Sequence, residues 1–275
     1  MNDATRRGFL GLVSAGAAAL LPARQTQATS ASSTPAVAVD DACILTPQSE
    51  EGPYYLDPKL VRTDITEGKP GVPLALRLRL IEAGSCTPIS GARVDIWHCD
   101  ARGLYSAFRE QGDGHTIDQT GKTFLRGTQL ADSAGVAAFK SIYPGWYAGR
   151  ATHIHFKVFL DDRTVLTGQT FFPEALNEFI YGNVPDYTGR PKQRLVINVN
   201  DRVATEADPE HRAYCAIKEE RERYVATLTL AVDRNTRVSA DMPPPGLREG
   251  GPPPKAQWIK DRLAALVPGL KRSPF

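Results

Sequence analysis

Several patterns that would assign this chain of 275 residues to a familiar functional class are missing from it. No run of about 18 apolar residues occurs, so no segment reads as a membrane-spanning helix of the mature protein. The formal net charge is only +2, too small to imply a nucleic-acid or membrane-surface partner. The chain has four cysteines, Cys43, Cys86, Cys99 and Cys215, but no Cys-x-x-Cys pair, which argues against a thiolate zinc site. Long helical periods alternating with strands are also missing, which argues against a parallel α/β architecture. What is present, 41% hydrophobic residues in a chain of this length, suffices for one substantial core.

The two ends differ from the body. Thr5-Arg6-Arg7-Gly8-Phe9-Leu10 is a twin-arginine (Tat) pattern, and the short apolar stretch Leu10 to Leu21 has no charged face. Residues 1–29 therefore read as a signal peptide, with small residues for cleavage near Ala28, and export to the periplasm or beyond is expected. Residues 30–40, rich in Ser, Thr and Ala, read as a linker. At the other end, residues 241–275 hold Pro243-Pro244-Pro245 and Pro252-Pro253-Pro254, an extended tail pattern. Within that tail Trp258, Ile259, Leu263 and Leu266 fall close to helical spacing.

Residues 41–240 read as an all-β domain, an antiparallel β-sandwich with short helices and long loops. Leu74, Leu76, Leu78 and Leu80 alternate with Ala75, Arg77 and Arg79, as a half-buried strand requires. A turn over 84–91 leads to a second strand over 92–98. Further strands are expected over 124–130, 136–142, 152–160, 165–172, 194–199 and 224–232, with short helices over 173–180 and 208–216. In an oxidising compartment the cysteines can pair, and four allow three complete pairings. If the strands 74–82 and 92–98 form a hairpin, Cys86 at its turn is too far from Cys99 at its open end to bridge.

The chemistry concentrates in Tyr143-Pro144-Gly145-Trp146-Tyr147, Arg150 and Thr152-His153-Ile154-His155-Phe156. On a strand, Ile154, Phe156, Val158 and Leu160 share one face, and His153 and His155 share the other. Two imidazoles about 7 Å apart along one face can reach a common metal ion. A copper or iron cupin would add a Glu a few residues on, and none follows His155. Tyr147, just upstream, offers a hard phenolate oxygen that suits Fe(III) better than Zn(II) or Cu(I).

These residues resemble the metal-binding segment of the intradiol ring-cleavage dioxygenases, the catechol and protocatechuate 3,4-dioxygenase-like family, and most closely its exported single-domain members. The resemblance runs over roughly 45–172. It includes Thr46-Pro47-Gln48, Glu51-Gly52-Pro53-Tyr54-Tyr55, the stretch from Val94 through Trp97-His98-Cys99 to Tyr105-Ser106, and Gln169-Thr170-Phe171-Phe172. One departure is that two acids, Glu50 and Glu51, precede Gly52 where the family has one. The resemblance implies an Fe(III) ion held by Tyr105, Tyr147, His153 and His155, with His98 outside the ligand set. It also implies a catechol-type substrate opened by O2 between its hydroxyls to a cis,cis-muconate. Tyr147 would take a substrate proton, Arg150 would stabilise developing negative charge, Gln169 would hydrogen-bond nearby, and Pro53 and Tyr54 would edge the substrate pocket. Two other readings compete: a non-catalytic β-sandwich that binds aromatic ligands, and a copper or Fe(II) oxygenase pairing the histidines with a carboxylate such as Asp100 or Asp113. Neither reading, nor the sequence, fixes an oligomeric state or the ring substituent.

Overall fold

Four leucines of one strand define the centre of the molecule. Strand β1 (Pro73–Glu82) turns Leu74, Leu76, Leu78 and Leu80 inward, each at most 1% exposed, while Arg77 and Arg79 face solvent. Burying each leucine contributes roughly 1.5–3 kcal/mol. The chain is described here by a computed structural model over residues 43–57, 59–190, 192–238 and 262–270. The expected signal peptide, the linker and most of the Pro-rich tail lie outside the described residues.

Strands β2 (Arg93–Trp97), β3 (Arg126–Leu130), β4 (Val136–Ile142), β5 (His153–Leu160), β6 (Arg163–Phe171), β7 (Ala216–Glu220) and β8 (Arg223–Val232) follow. They form two four-stranded sheets, ordered β4-β1-β8-β7 and β3-β2-β5-β6. The β1 leucines pack against Val94, Ile96, Ile154, Phe156 and Val158 of the second sheet in one core cluster. Among the described residues no helix is long and apolar enough to cross a membrane.

Four expectations are corrected. The sheets are not wholly antiparallel, because β1 and β8 pair in parallel, with Leu74 opposite Tyr224 and Glu82 opposite Val232. β1 and β2 are not a hairpin, since the turn after β1 carries the chain across to the other sheet. Residues 194–199 are not a strand. Glu174 binds Arg194 and the Asn198 N–H, and Asn198 Nδ2 donates to Phe172 O, so neighbouring groups take up the polar atoms a ladder would use. Residues 208–216 form turns rather than a helix, because the Asp208 carboxylate accepts the N–H groups of Arg212 and Ala213.

Helix α1 (Glu174–Asn183) begins just after Pro173, as expected. The short helix α2 (Arg202–Glu206) is capped by Asp201, whose side chain accepts the Ala204 N–H. In the tail, Leu263 and Leu266 lie in α3 (Arg262–Leu266), whose Arg262 meets Glu178 of α1 at 2.5 Å. Cys43 and Cys86 form a disulfide, and Cys99 and Cys215 are free and buried.

Candidate metal centre and active site

β5 alternates as its sequence requires. Ile154, Phe156 and Val158 enter the core, and His153 and His155 stand on the opposite face. That face is nonetheless buried, because loops cover it, and both histidines are 2% exposed. Tyr105 comes from the loop after β2, where Asp100 Oδ1 accepts the N–H groups of Arg102 and Leu104 and so tightens the turn. Tyr147 comes from the loop before β5. The four side chains converge: Tyr105 Oη and Tyr147 Oη each lie 3.3 Å from His153 Nε2, and His155 Nε2 lies 3.0 Å from it.

This donor set fits a metal ion. Nitrogen and oxygen ligands bind first-row cations at about 2.0–2.2 Å, which places tetrahedral neighbours about 3.3 Å apart. His153 Nδ1–H donates to Ala151 O at 2.7 Å, which leaves the Nε2 lone pair facing the cluster. Burial holds both imidazoles well below their usual pKa, with Arg150 also acting on His153, so they are neutral donors at neutral pH. Burial also pushes both phenols up, so the protein alone keeps them protonated, and only a cation among the four donors would favour phenolate. Two phenol oxygens with two imidazoles suit a hard, highly charged ion. Among the described residues no three His, Cys, Asp or Glu side chains come together as a metal site. The carboxylates proposed to complete a copper or Fe(II) site are engaged elsewhere, Asp100 with Lys69 at 2.6 Å and Asp113 with Arg190 at 3.1 Å.

The loop Glu51 to Tyr55 lies over the cluster. Gly52 has φ +74°, and a Cβ there would lie 3.2 Å from His155 Cε1, so glycine answers both the backbone and the space. Tyr54 stacks on Tyr105 with ring centroids 4.5 Å apart, and Trp97 stacks on His155 at 4.8 Å. Pro53 is exposed beside them. The two acids before Gly52 have separate partners: Glu51 binds Lys157, and Glu50 binds Arg202 at 2.9 Å. A cavity of about 100 Å³ opens beside Tyr105 and Tyr147 and is also bounded by Tyr54, Gln111 and Arg190.

Arg150 is fixed at the edge of the cluster. Its Nε donates to Asp201 Oδ2 at 2.9 Å, and its Nη2 donates to Gln169 Oε1 at 2.5 Å. Gln169 stands opposite His155 across β5 and β6, and its Nε2 donates to Glu50 O at 3.0 Å. Burial would weaken the guanidinium's charge, but Asp201 together with Tyr147 and Glu50 outweighs it and keeps Arg150 ionised. His98 is apart from the donors, with Nδ1 against Cys99 O at 2.8 Å and Nε2 against Ser141 Oγ at 2.7 Å.

Sequence reasoning missed Asp201 and Arg126. Arg126 is 1% exposed and donates to Tyr54 O at 2.5 Å and to Ser106 O at 2.9 Å, joining the loops that carry Tyr54 and Tyr105. An arginine beginning a strand gives no local sign of this role. Asp201 had a faint one, as an acid just before a helical turn.

The family described as "Dioxygenase" matches residues 49–215, more than half of the chain and all of the site. A catechol 1,2-dioxygenase 1 of Acinetobacter lwoffii is 26% identical over 147 residues, 45% of this chain and 45% of that one. A chlorocatechol 1,2-dioxygenase of a Pseudomonas species is 27% identical over 143 residues, 44% of this chain and 53% of that one. The chain thus spans about half the length of the curated relatives it matches. Among solved structures, an intradiol ring-cleavage dioxygenase from Tetranychus urticae superposes with a TM-score of 0.65 at 29% identity, over 72% of this chain and 98% of that one.

Proposed function

The chain belongs to the intradiol ring-cleavage dioxygenase family, and on that premise we propose that it is an Fe(III) enzyme that opens a catechol-type diol with O2 to a cis,cis-muconate. The observation that carries this reading is the convergence of two phenol oxygens and the His155 nitrogen within 3.3 Å of His153 Nε2 in a buried cluster. When bound, Fe(III) would act as a Lewis acid that acidifies both hydroxyls of the diol and makes its ring reactive towards O2.

The chain's own groups divide the remaining work. Tyr147 is half-buried and borders the cavity, so its Oη is the donor best placed to take a substrate proton. Arg150, held by Asp201 and Gln169, presents a fixed positive charge where negative charge builds on the ring. Tyr54, stacked on Tyr105, supplies an aromatic wall. The loop Glu51 to Tyr55 keeps water from the histidines.

The twin-arginine pattern at Arg6 and Arg7 supports export of the folded protein by the Tat route. The test of activity is oxygen uptake with catechol, protocatechuate, hydroxyquinol and chlorinated catechols, with the ring-opened product identified. Stoichiometric O2 consumption with a muconate product is expected from at least one of them. No uptake by iron-loaded protein with any would leave the non-catalytic aromatic-binding reading in its place.

A further inference from the structure

A second cleft of about 260 Å³ adjoins the first cavity and shares Arg190 and Lys192 with it. Its walls include Trp146, Tyr181, Arg190, Lys192, Arg194 and Arg262. Arg194 is the informative residue. Its side chain is only 6% exposed, and its Nη2 donates to Glu174 Oε2 at 2.7 Å and also to Glu178. Its Nη1, equally buried, has no hydrogen-bond partner among the described residues. A buried guanidinium nitrogen left without an acceptor carries a desolvation cost that an anion in the cleft would remove.

Charge around the cleft points the same way. Arg190 pairs with Asp113 at 3.1 Å, Arg194 pairs with Glu174, and Arg262 shares Glu178 at 2.5 Å. Lys192 Nζ meets only a backbone carbonyl, Asp113 O at 2.8 Å. Of the charged side chains that line the cleft among the described residues, four are cations and one, Glu178, is a carboxylate. The other walls are aromatic: the Arg190 guanidinium lies 3.8 Å over the Trp146 ring, and Arg194 lies 5.3 Å from the centre of Tyr181.

We infer that this cleft is a second binding site, for a small organic carboxylate with a flat, unsaturated body. The carboxylate pairs with the Arg194 guanidinium and the charge of Lys192, and the body lies against Trp146 and Tyr181. Arg190 links this site to the first, because its Nη1 donates to Trp146 O, one residue before Tyr147. Tyr181, Arg194 and Arg262 line this cleft and not the first cavity, and the inference does not depend on iron chemistry.

The test is calorimetric titration of the full protein, without oxygen, using cis,cis-muconate, its neutral dimethyl ester and inorganic phosphate. Expected are saturable binding of the dicarboxylate, none of the ester, and weaker binding of phosphate. Lys192→Glu should weaken muconate binding by roughly tenfold, as loss of a charge contact near a protein surface does. Arg194→Gln should abolish it, and if that variant fails to fold without its Glu174 bridge, Arg194→Lys, which keeps a cation for Glu174 but has no second guanidinium nitrogen, decides. Saturating catechol should leave the affinity unchanged. Displacement by catechol would place the dicarboxylate in the first site and overturn the inference. So would absence of binding, equal binding by Arg194→Lys, or phosphate binding as tightly as muconate.

Discussion

Asp201 touches none of the four donors, yet it governs the charge beside them. Its carboxylate accepts Arg150 Nε at 2.9 Å and the Ala151 N–H at 2.6 Å, and it also caps α2. We therefore predict that Asp201→Asn keeps iron content and colour but lowers kcat by up to about 100-fold, the cost of a misplaced charge, with KM changing less. Equal loss of iron and activity would make Asp201 merely structural. His98 acts on stability instead. Burial pushes its pKa down to about 4, against about 6.5 in the unfolded chain, so the unfolded state binds more protons between those values. Stability is then full above about pH 6.5 and falls as pH drops towards 4, by on the order of 3 kcal/mol from this group. Denaturant midpoints across that range should slope less in His98→Gln; an unchanged slope would assign the acid sensitivity to other groups.

Elements differ in how plainly the sequence announces them. β1 and β5 were legible because strict alternation, Leu74 to Leu80 and Ile154 to Val158, is set by burial of one face and needs no knowledge of partners. β7 was missed because Ala216–Glu220 is short, charged and largely exposed, with no buried face to set a period. The parallel pairing of β1 with β8 was illegible for a different reason: it joins strands from opposite ends of the domain, and nothing local encodes it. The proposed donors His153, His155, Tyr105 and Tyr147 stand in recognisable motifs, whereas Asp201 reaches Arg150 only through the tertiary fold. The disulfide also belongs to this scale. It ties Cys43, packed with Ile81 and Ala231, to the turn after β1 and closes a loop of 43 residues. Chain entropy sets its contribution at about 4 kcal/mol. Cys43→Ser with Cys86→Ser should lower unfolding free energy by about 2–4 kcal/mol in denaturant titrations while leaving ring cleavage intact. Lost activity in the folded double variant would show that the bridge also shapes the site.

At the scale of the whole molecule, the proposed export by the Tat route and the proposed iron site can be tested together. A Tat substrate folds before it crosses the membrane, and a cluster of oxygen and nitrogen donors needs no oxidised cysteine to assemble. Replacing Arg6 and Arg7 by Lys should strand folded, iron-containing, active protein in the cytoplasm, with Cys43 and Cys86 reduced. Activity still found outside the cell would refute Tat dependence. Ligation of Fe(III) by Tyr105 and Tyr147 together with His153 and His155 is read in the visible absorption spectrum of the iron-loaded protein. The expected result is a red-brown protein with a broad tyrosinate-to-iron charge-transfer band, bleached or shifted in Tyr105→Phe and altered in Tyr147→Phe. A colourless iron-loaded protein, or the parent spectrum retained in both variants, would contradict it.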